Sequence, residues 1–110
     1  MTTVKKGLPP PNELEMKLCW HFTGAAIDAT PDEPGVFAFF SETGGLILLG
    51  SAAKSLRGIF RSHWKGFEGG ETCGAAYIGW EPSKNPMARE AELVALYAKK
   101  FGRLPRRQTR

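Results

Sequence analysis

The sequence predicts an α+β domain, in which helices pack on a small, mainly antiparallel sheet of three strands. The 110 residues are enough for one domain but not for two. Apolar runs rich in β-branched and aromatic residues alternate with segments of helical periodicity. Hydrophobic residues make up 42% of the chain and charged residues 24%, which excludes wholesale disorder, a collagen-like fibre and a coiled-coil rod.

Residues 1–30 are predicted to form an N-terminal extension. Three consecutive prolines within residues 1–13 favour an irregular arm. The mixed apolar and charged segment 14–22 is consistent with a short strand or a packed extended stretch. Thr23 is a good cap for one helical turn that runs through Ile27, before two prolines interrupt the chain.

A β-hairpin is the clearest early element. Residues 36–40 are β-branched and aromatic, which predicts a strand. Residues 42–45 contain two glycines and predict a turn. Residues 46–49 show no polar alternation, so the second strand is expected to be buried on both faces.

Two helices and a third strand follow the hairpin. Apolar residues at helical spacing predict a helix over about residues 52–64. Residues 73–80 predict a strand. The last helix has Asn85 as its N-cap, Pro86 at its first position and Gly102 as its stop. The aromatic residues assigned to the core by default are Trp20, Trp64, Phe67, Trp80 and Tyr97.

The cysteines and the absence of targeting signals indicate a cytoplasmic protein that does not bind membranes. Cys19 and Cys73 form no CxxC motif, and they are expected to be reduced and partly buried. A zinc site built from these thiols with His21 and His63 has suitable ligand types but no supporting spacing. The N-terminus has no signal-peptide core, and the longest uncharged stretch, residues 43–53, is too short to span a bilayer.

The formal net charge is +4, and its distribution is uneven. Residues 99–110 contain six Lys and Arg residues and no acid. This segment is consistent with a basic tail that contacts phosphate. It is equally consistent with cations that complement a helix C-terminus, followed by a solvated end.

Five segments of the sequence occur in an order that is typical of one protein family. They are Pro34-Gly35-Val36-Phe37, Leu48-Leu49-Gly50, residues 51–63, Glu90-Ala91-Glu92-Leu93-Val94 and Gly102-Arg103-Leu104-Pro105. In this order they resemble the GIY-YIG nucleases, with their Pro-Gly-Ile/Val-Tyr strand, Tyr-Ile-Gly strand, following helix, Glu-x-x-Leu-Ile helix and proline-containing exit. The resemblance implies a GIY-YIG-like domain over residues 31–108, with residues 109–110 as a tail. The string Tyr77-Ile78-Gly79 lies in the third predicted strand and is therefore not the second-strand motif.

The resemblance implies the chemistry of a metal-dependent endonuclease. In that family a carboxylate holds Mg²⁺ or Mn²⁺, a tyrosine helps to deprotonate water, and an arginine and a second tyrosine orient the phosphate. The carboxylate matches Glu90, and His63 is also similar to a family residue. The first tyrosine is replaced by Phe37, the second by Leu48 and the arginine by Ile59, none of which has a polar side chain. The family's final asparagine falls near Gln108.

These substitutions favour a domain that has lost catalysis and binds the phosphate backbone of DNA or RNA. The cations assigned to that role are Arg57, Arg61, Lys65, Arg103, Arg106 and Arg107. One alternative is a divergent, active endonuclease in which Glu90 binds the metal and His63 is the base. Another is a non-catalytic protein-interaction domain. Glu90 also has a structural interpretation as a hydrogen-bond partner of Tyr97, and His63 as a helix-end residue at the domain edge.

Overall fold

The computed structural model describes residues 12–64 and 75–104. Within these ranges lie four strands and three helices, which confirms the α+β class. In chain order they are β1 (Leu18–His21), α1 (Gly24–Ala29), β2 (Gly35–Phe40), β3 (Leu46–Ala52), α2 (Leu56–Trp64), β4 (Tyr77–Pro82) and α3 (Pro86–Phe101). None of the helices in these two ranges is both long enough and apolar enough to cross a membrane.

The sheet is antiparallel throughout, with the strand order β1-β4-β2-β3. The predicted count of three strands is therefore corrected to four in the described part of the chain. The additional strand is β1, which pairs with β4 so that Leu18 lies opposite Trp80. The sheet thus continues past the boundary predicted at residue 31, into the segment assigned to an N-terminal extension.

Strand β2 lies in the middle of the molecule, and all six of its residues are buried. Because successive side chains of a strand point to opposite faces, β2 contributes to two separate hydrophobic layers. Val36, Ala38 and Phe40 belong to the layer that contains the buried residues of α3. Phe37 and Phe39 belong to the layer that α1 and α2 cover.

Strand β3 contains a bulge. The pairing shifts between Phe39 and Phe40, so Ile47 has no partner on β2. The extra residue allows Leu46 and Leu49, three positions apart, to enter the same layer under α3, while Ile47 packs against the opposite layer. The strand is thus covered on both faces, as the lack of polar alternation predicts.

The first two helices differ in how well the sequence predicts their bounds. The Thr23 hydroxyl accepts a hydrogen bond from the Ala26 N–H, so the predicted cap of α1 is confirmed. Helix α2 begins four residues later than predicted, because Ala52 remains in β3, opposite Gly35.

The predicted bounds of α3 are confirmed. Asn85 is the N-cap and Pro86 the first helical residue. Gly102 ends the helix with a positive φ of 70° and donates its N–H to the Ala98 carbonyl. Strand β4 begins at Tyr77 and ends at Pro82, two residues beyond the predicted end at Trp80, and residues 73–74 of the predicted strand lie outside the described residues.

Residues 12–16 fasten the start of the described chain to the domain. The Asn12 carboxamide accepts from the Met16 N–H and donates to the Met16 carbonyl, which closes a tight local loop. The Glu13 N–H donates to the Gly44 carbonyl in the hairpin turn. Oε1 of Glu13 accepts the Leu46 N–H at 2.6 Å, which satisfies a backbone group at the start of β3.

Candidate functional site

The three positions that the resemblance matches to the tyrosines and arginine of the GIY-YIG nucleases come together in the structure, but as hydrophobic core. Phe37 on β2 and Leu48 on β3 have no exposed surface. Ile59 on α2 packs against the same cluster. A phosphate could reach these positions only by displacing packed apolar side chains. The structure therefore assembles the expected positions without the polar groups or the space that phosphodiester chemistry requires.

His63 is also in this apolar layer. It lies in the last turn of α2 and is only 6% exposed. Its ring centroid is 4.8 Å from that of Phe39 and 6.0 Å from that of Phe37. The imidazole therefore packs against the sheet and does not lie at an exposed domain edge.

Glu90 lies on the other side of the sheet. It is 8% exposed and is on the buried face of α3, one turn before Leu93 and two turns before Tyr97. Leu93 and Tyr97 belong to the layer opposite the one that contains His63. Because the sheet separates them, Glu90 and His63 do not share a site.

Tyr97 is hydrogen-bonded to a different carboxylate from the one expected. Its hydroxyl donates to Oε1 of Glu13 at 3.2 Å, and not to Glu90. Burial raises the pKa of Tyr97, and the negative charge of Glu13 raises it further, while Arg103 acts in the opposite direction. The predicted hydrogen bond between Glu90 and Tyr97 is therefore wrong.

The two arginines of α2 contact α1 and Thr30, the residue that follows it. Nε of Arg57 donates to the Thr30 carbonyl at 2.9 Å. Nη2 of Arg61 lies 3.0 Å from Oδ1 of Asp28, and both of these side chains are more than half exposed. Exposed ion pairs contribute little to stability, so a phosphate could compete with Asp28 for Arg61. The Arg57 hydrogen bond is partly buried, so Arg57 is less accessible to a phosphate than Arg61.

The C-terminal end of α3 presents three further cations. Lys99 and Lys100 lie in its last turn, where positive charge is favoured by the helix dipole. Nζ of Lys100 is 3.7 Å from Oε1 of Glu15. The Arg103 guanidinium carbon lies 5.3 Å from the Tyr97 ring centroid and 5.9 Å from that of Phe101. Lys65, Arg106 and Arg107 lie outside the described residues.

The described residues do not form a metal centre. In residues 12–64 and 75–104, no three His, Cys, Asp or Glu side chains are placed to hold an ion. The Glu90 carboxylate has the oxygen ligands that Mg²⁺ prefers, but it belongs to no such group of three in these ranges. Cys19 is 1% exposed, and burial raises the pKa of its thiol to about 11. Cys73, the other thiol of the zinc hypothesis, lies outside the described residues.

An ion-pair cluster joins β4 and α3, and the sequence analysis does not predict it. Arg89 places Nε 2.8 Å from Oε2 of Glu81 and Nη1 2.8 Å from Oε2 of Glu92. These two carboxylates raise the pKa of Arg89. The spacing of Arg89 and Glu92, three positions apart on one helix, is a signal that could have predicted half of this cluster.

An apolar groove beside β1 is a second feature that sequence reasoning misses. Leu18 and Trp20 are 40% and 47% exposed, which corrects the prediction of Trp20 as a core residue. A cavity of about 460 Å³ lies between β1 and α1, with Trp80 in its wall. The alternation of β1 contains the relevant signal, because Cys19 occupies the hydrophobic layer under α3 and its two neighbours must face the other way. Trp64 is likewise exposed, at 53%.

Comparison with known proteins assigns the chain to no family. No protein-family model matches the chain, and neither a curated protein nor a solved structure matches it significantly. The resemblance to the GIY-YIG nucleases therefore rests on the sequence segments and on the order of the elements. What the structure itself establishes is a four-stranded antiparallel sheet, among the described residues, between two helical layers.

Proposed function

We propose that this chain is a GIY-YIG-like domain that lacks nuclease activity and binds the phosphate backbone of nucleic acids. The observation that supports this most directly is the complete burial of Phe37 and Leu48 at the positions of the family's tyrosines. The order of hairpin, helix, strand and helix from β2 to α3 agrees with the order that the resemblance implies.

Loss of catalysis follows from the distribution of polar groups. Losing a general base lowers a rate by about 10²–10⁴, and losing one donor to a developing oxyanion lowers it by about 10²–10³. Here the base, the second tyrosine and the arginine are all replaced by apolar residues. Glu90 and His63 cannot compensate together, because they lie on opposite faces of the sheet.

Binding to phosphate is supported by the C-terminal cations. Lys99 and Lys100 are exposed in the last turn of α3, and Arg103 follows the helix. Three more arginines and no acid follow Arg103 in the sequence. Cations of this kind provide affinity without reading base sequence, and the affinity falls steeply with salt.

The binding proposal is tested by fluorescence anisotropy with labelled duplex DNA and duplex RNA at increasing NaCl concentration. We expect the affinity to fall linearly on a log–log plot. Replacing Lys99 and Arg106 together by Ala should reduce the slope for duplex DNA by about 0.9 for each phosphate that is no longer neutralised. Lys84→Ala is the matched control, because it removes an exposed charge from the loop before α3. Absence of binding at low salt would refute the proposal, as would equal effects of all these substitutions.

The catalytic part is tested with a nicking assay on supercoiled DNA and a cleavage assay on RNA, each with Mg²⁺ or Mn²⁺. We expect no cleavage that distinguishes the natural chain from Glu90→Ala and Glu90→Gln. Metal-dependent cleavage that both substitutions abolish would instead establish the divergent endonuclease. Binding and cleavage are measured separately, so either part of the proposal can fail without the other.

A further inference from the structure

Trp64, the last residue of α2, presents an accessible aromatic surface. It is 53% exposed. Its ring meets that of Phe22 edge to face, with the ring centroids 5.2 Å apart and the ring planes at 74°. Phe22 in turn packs against Phe39 of the buried layer. An edge-to-face contact uses at most one face of the indole, so the other face is left uncovered by Phe22 while the ring is held against the domain.

A recess lies beside Trp64, between α1 and the end of α2. Its volume is about 230 Å³, and its lining includes Asp28 of α1 and Arg61 of α2. Arg61 and Trp64 are three positions apart and are therefore neighbours on the surface of α2. A cavity of about 150 Å³ is enough to hold a benzene molecule. The recess therefore has room for one flat aromatic ring system against the indole.

The charged groups of the recess form a pair that can exchange partners. Nη2 of Arg61 lies 3.0 Å from Oδ1 of Asp28, and both side chains are more than half exposed. An exposed ion pair contributes little free energy, so an incoming anion can replace Asp28. The planar guanidinium matches phosphate, to which it can donate two hydrogen bonds. The recess thus combines a surface for stacking a flat ring with a donor for a phosphate, and a nucleotide carries both of these groups.

We propose that the recess binds one unpaired nucleotide of a single-stranded nucleic acid, with its base stacked on Trp64 and the adjacent phosphate on Arg61. This inference rests on the proposed binding of nucleic acids and names the form of nucleic acid that this site takes. The bases of a duplex already stack on their neighbours, whereas an unpaired base is free to lie on an aromatic side chain. Because every base has a π-face, the site distinguishes single strands from duplexes without reading their sequence.

The recess and the cations of α3 lie on opposite sides of the sheet. Helices α1 and α2 cover the layer that contains Phe37 and Phe39, and α3 covers the other layer. Substitutions at well-separated positions usually act independently. The effect of Trp64 on single-strand binding can therefore be measured apart from the effect of Lys99 on phosphate binding, so the inference can fail while the proposed function holds.

The test is fluorescence anisotropy with a labelled single-stranded oligothymidylate, the same strand with every base replaced by an abasic site, and a blunt-ended duplex. We expect Trp64→Ala to weaken binding to the oligothymidylate by about 5-fold to 100-fold, as removal of a stacking aromatic does elsewhere. Trp64→Phe keeps an aromatic ring and should retain most of the affinity. Both variants should bind the duplex as the natural chain does.

The abasic strand provides a readout that needs no substitution. It keeps the phosphates and has no base to stack, so the natural chain should bind it more weakly than the oligothymidylate, by a factor similar to the loss in Trp64→Ala. Trp64→Ala should bind the two strands equally. A tryptophan with only a structural role would not produce this equality.

Trp20→Ala is the matched control. Trp20 is exposed to nearly the same extent, at 47%, but none of the described residues that line its groove is Lys or Arg. This substitution should leave the affinity for the oligothymidylate unchanged. Arg61→Gln should lower the salt slope of that binding by about 0.7, the value for one phosphate contact on a single strand. Circular dichroism should show that all of these variants are folded.

Equal affinity of the natural chain and Trp64→Ala for the oligothymidylate would overturn the inference. So would equal affinity of the natural chain for the oligothymidylate and the abasic strand, or an equal loss of duplex binding in Trp64→Ala. If salt-dependent duplex binding persists alongside any of these results, the proposed function stands without the inference. If the chain binds neither single strands nor duplexes at low salt, both are wrong.

Discussion

The Tyr97 hydroxyl on α3 donates a hydrogen bond to Oε1 of Glu13, which lies 84 positions earlier in the chain. The same oxygen accepts the N–H of Leu46 at the start of β3. One carboxylate oxygen therefore joins the segment before the sheet, the hairpin and the last helix. Tyr97 is only 2% exposed, so its hydroxyl has little access to water as a substitute partner.

Removing this carboxylate should destabilise the domain. We expect Glu13→Ala to lower the free energy of unfolding by about 2–3 kcal/mol, because it leaves a buried hydroxyl and a backbone N–H without their acceptor. Tyr97→Phe removes one bond and should cost about 1 kcal/mol. Urea denaturation measures both. The double variant should lose less unfolding free energy than the sum of the losses in the two single variants, because both substitutions remove the same hydrogen bond. A loss equal to that sum would show that the two groups are not coupled.

The stability of the fold should decrease at alkaline pH because of Cys19. Its thiol has a pKa of about 11 in the fold, against an ordinary value of 9.0, so the folded chain holds the proton more tightly. The stabilisation is complete below pH 9 and is lost as the pH rises toward 11. Urea denaturation at several pH values should show this slope, and Cys19→Ala should make it shallower. An unchanged slope would contradict the assignment to Cys19.

Two glycines should respond oppositely to the same substitution. A Cβ on Gly35 would overlap the Glu81 carbonyl oxygen and lie 2.8 Å from Cδ1 of Leu56. Gly35→Ala should therefore lower the free energy of unfolding by about 2–3 kcal/mol. Gly24, the first residue of α1, has nothing within 4 Å of that position, so Gly24→Ala should be neutral or stabilise by up to about 1 kcal/mol. Thermal unfolding distinguishes the two, and similar shifts would contradict the close packing at Gly35.

Placing a tyrosine at position 37, where the resemblance to the GIY-YIG nucleases implies one, should not create nuclease activity. Phe37→Tyr places a hydroxyl in a fully buried apolar layer, which should lower the free energy of unfolding by about 1–3 kcal/mol. Phe37→Leu is the control for altered packing without a polar group. Denaturation and the nicking assay should be run on both variants. A gain of metal-dependent cleavage in Phe37→Tyr alone would show that the position still opens onto a reactive site.

The sequence predicts well those elements whose bounds depend on residues nearby in the chain. The cap at Thr23, the proline at the start of α3 and the left-handed Gly102 each depend on residues within one turn. The fourth strand depends on a partner about sixty positions away, and no pattern within residues 14–22 identifies β4 as that partner. The same limit explains the late start of α2, because pairing with Gly35 keeps Ala52 in the sheet.

Some features of the candidate site can likewise be predicted from the sequence, and others cannot. Apolar residue types at positions 37, 48 and 59 already predict a filled pocket, and the structure places all three in one layer. The sequence cannot reveal that Glu90 and His63 face opposite sides of the sheet, because each lies on an amphipathic helix whose orientation depends on packing. Nor does it identify the partner of Tyr97, since Glu13 comes close only in the folded chain.

The pairing of β1 with β4 has a consequence for synthesis of the chain on the ribosome. Leu18 is made before its partner Trp80, and at about 5–20 residues per second the delay is roughly 3–12 s. During that interval the edge of β1 that later pairs with β4 has no partner, although the strand already carries Leu18 and Trp20. The nascent chain therefore presents this apolar segment for seconds without the strand that pairs with it.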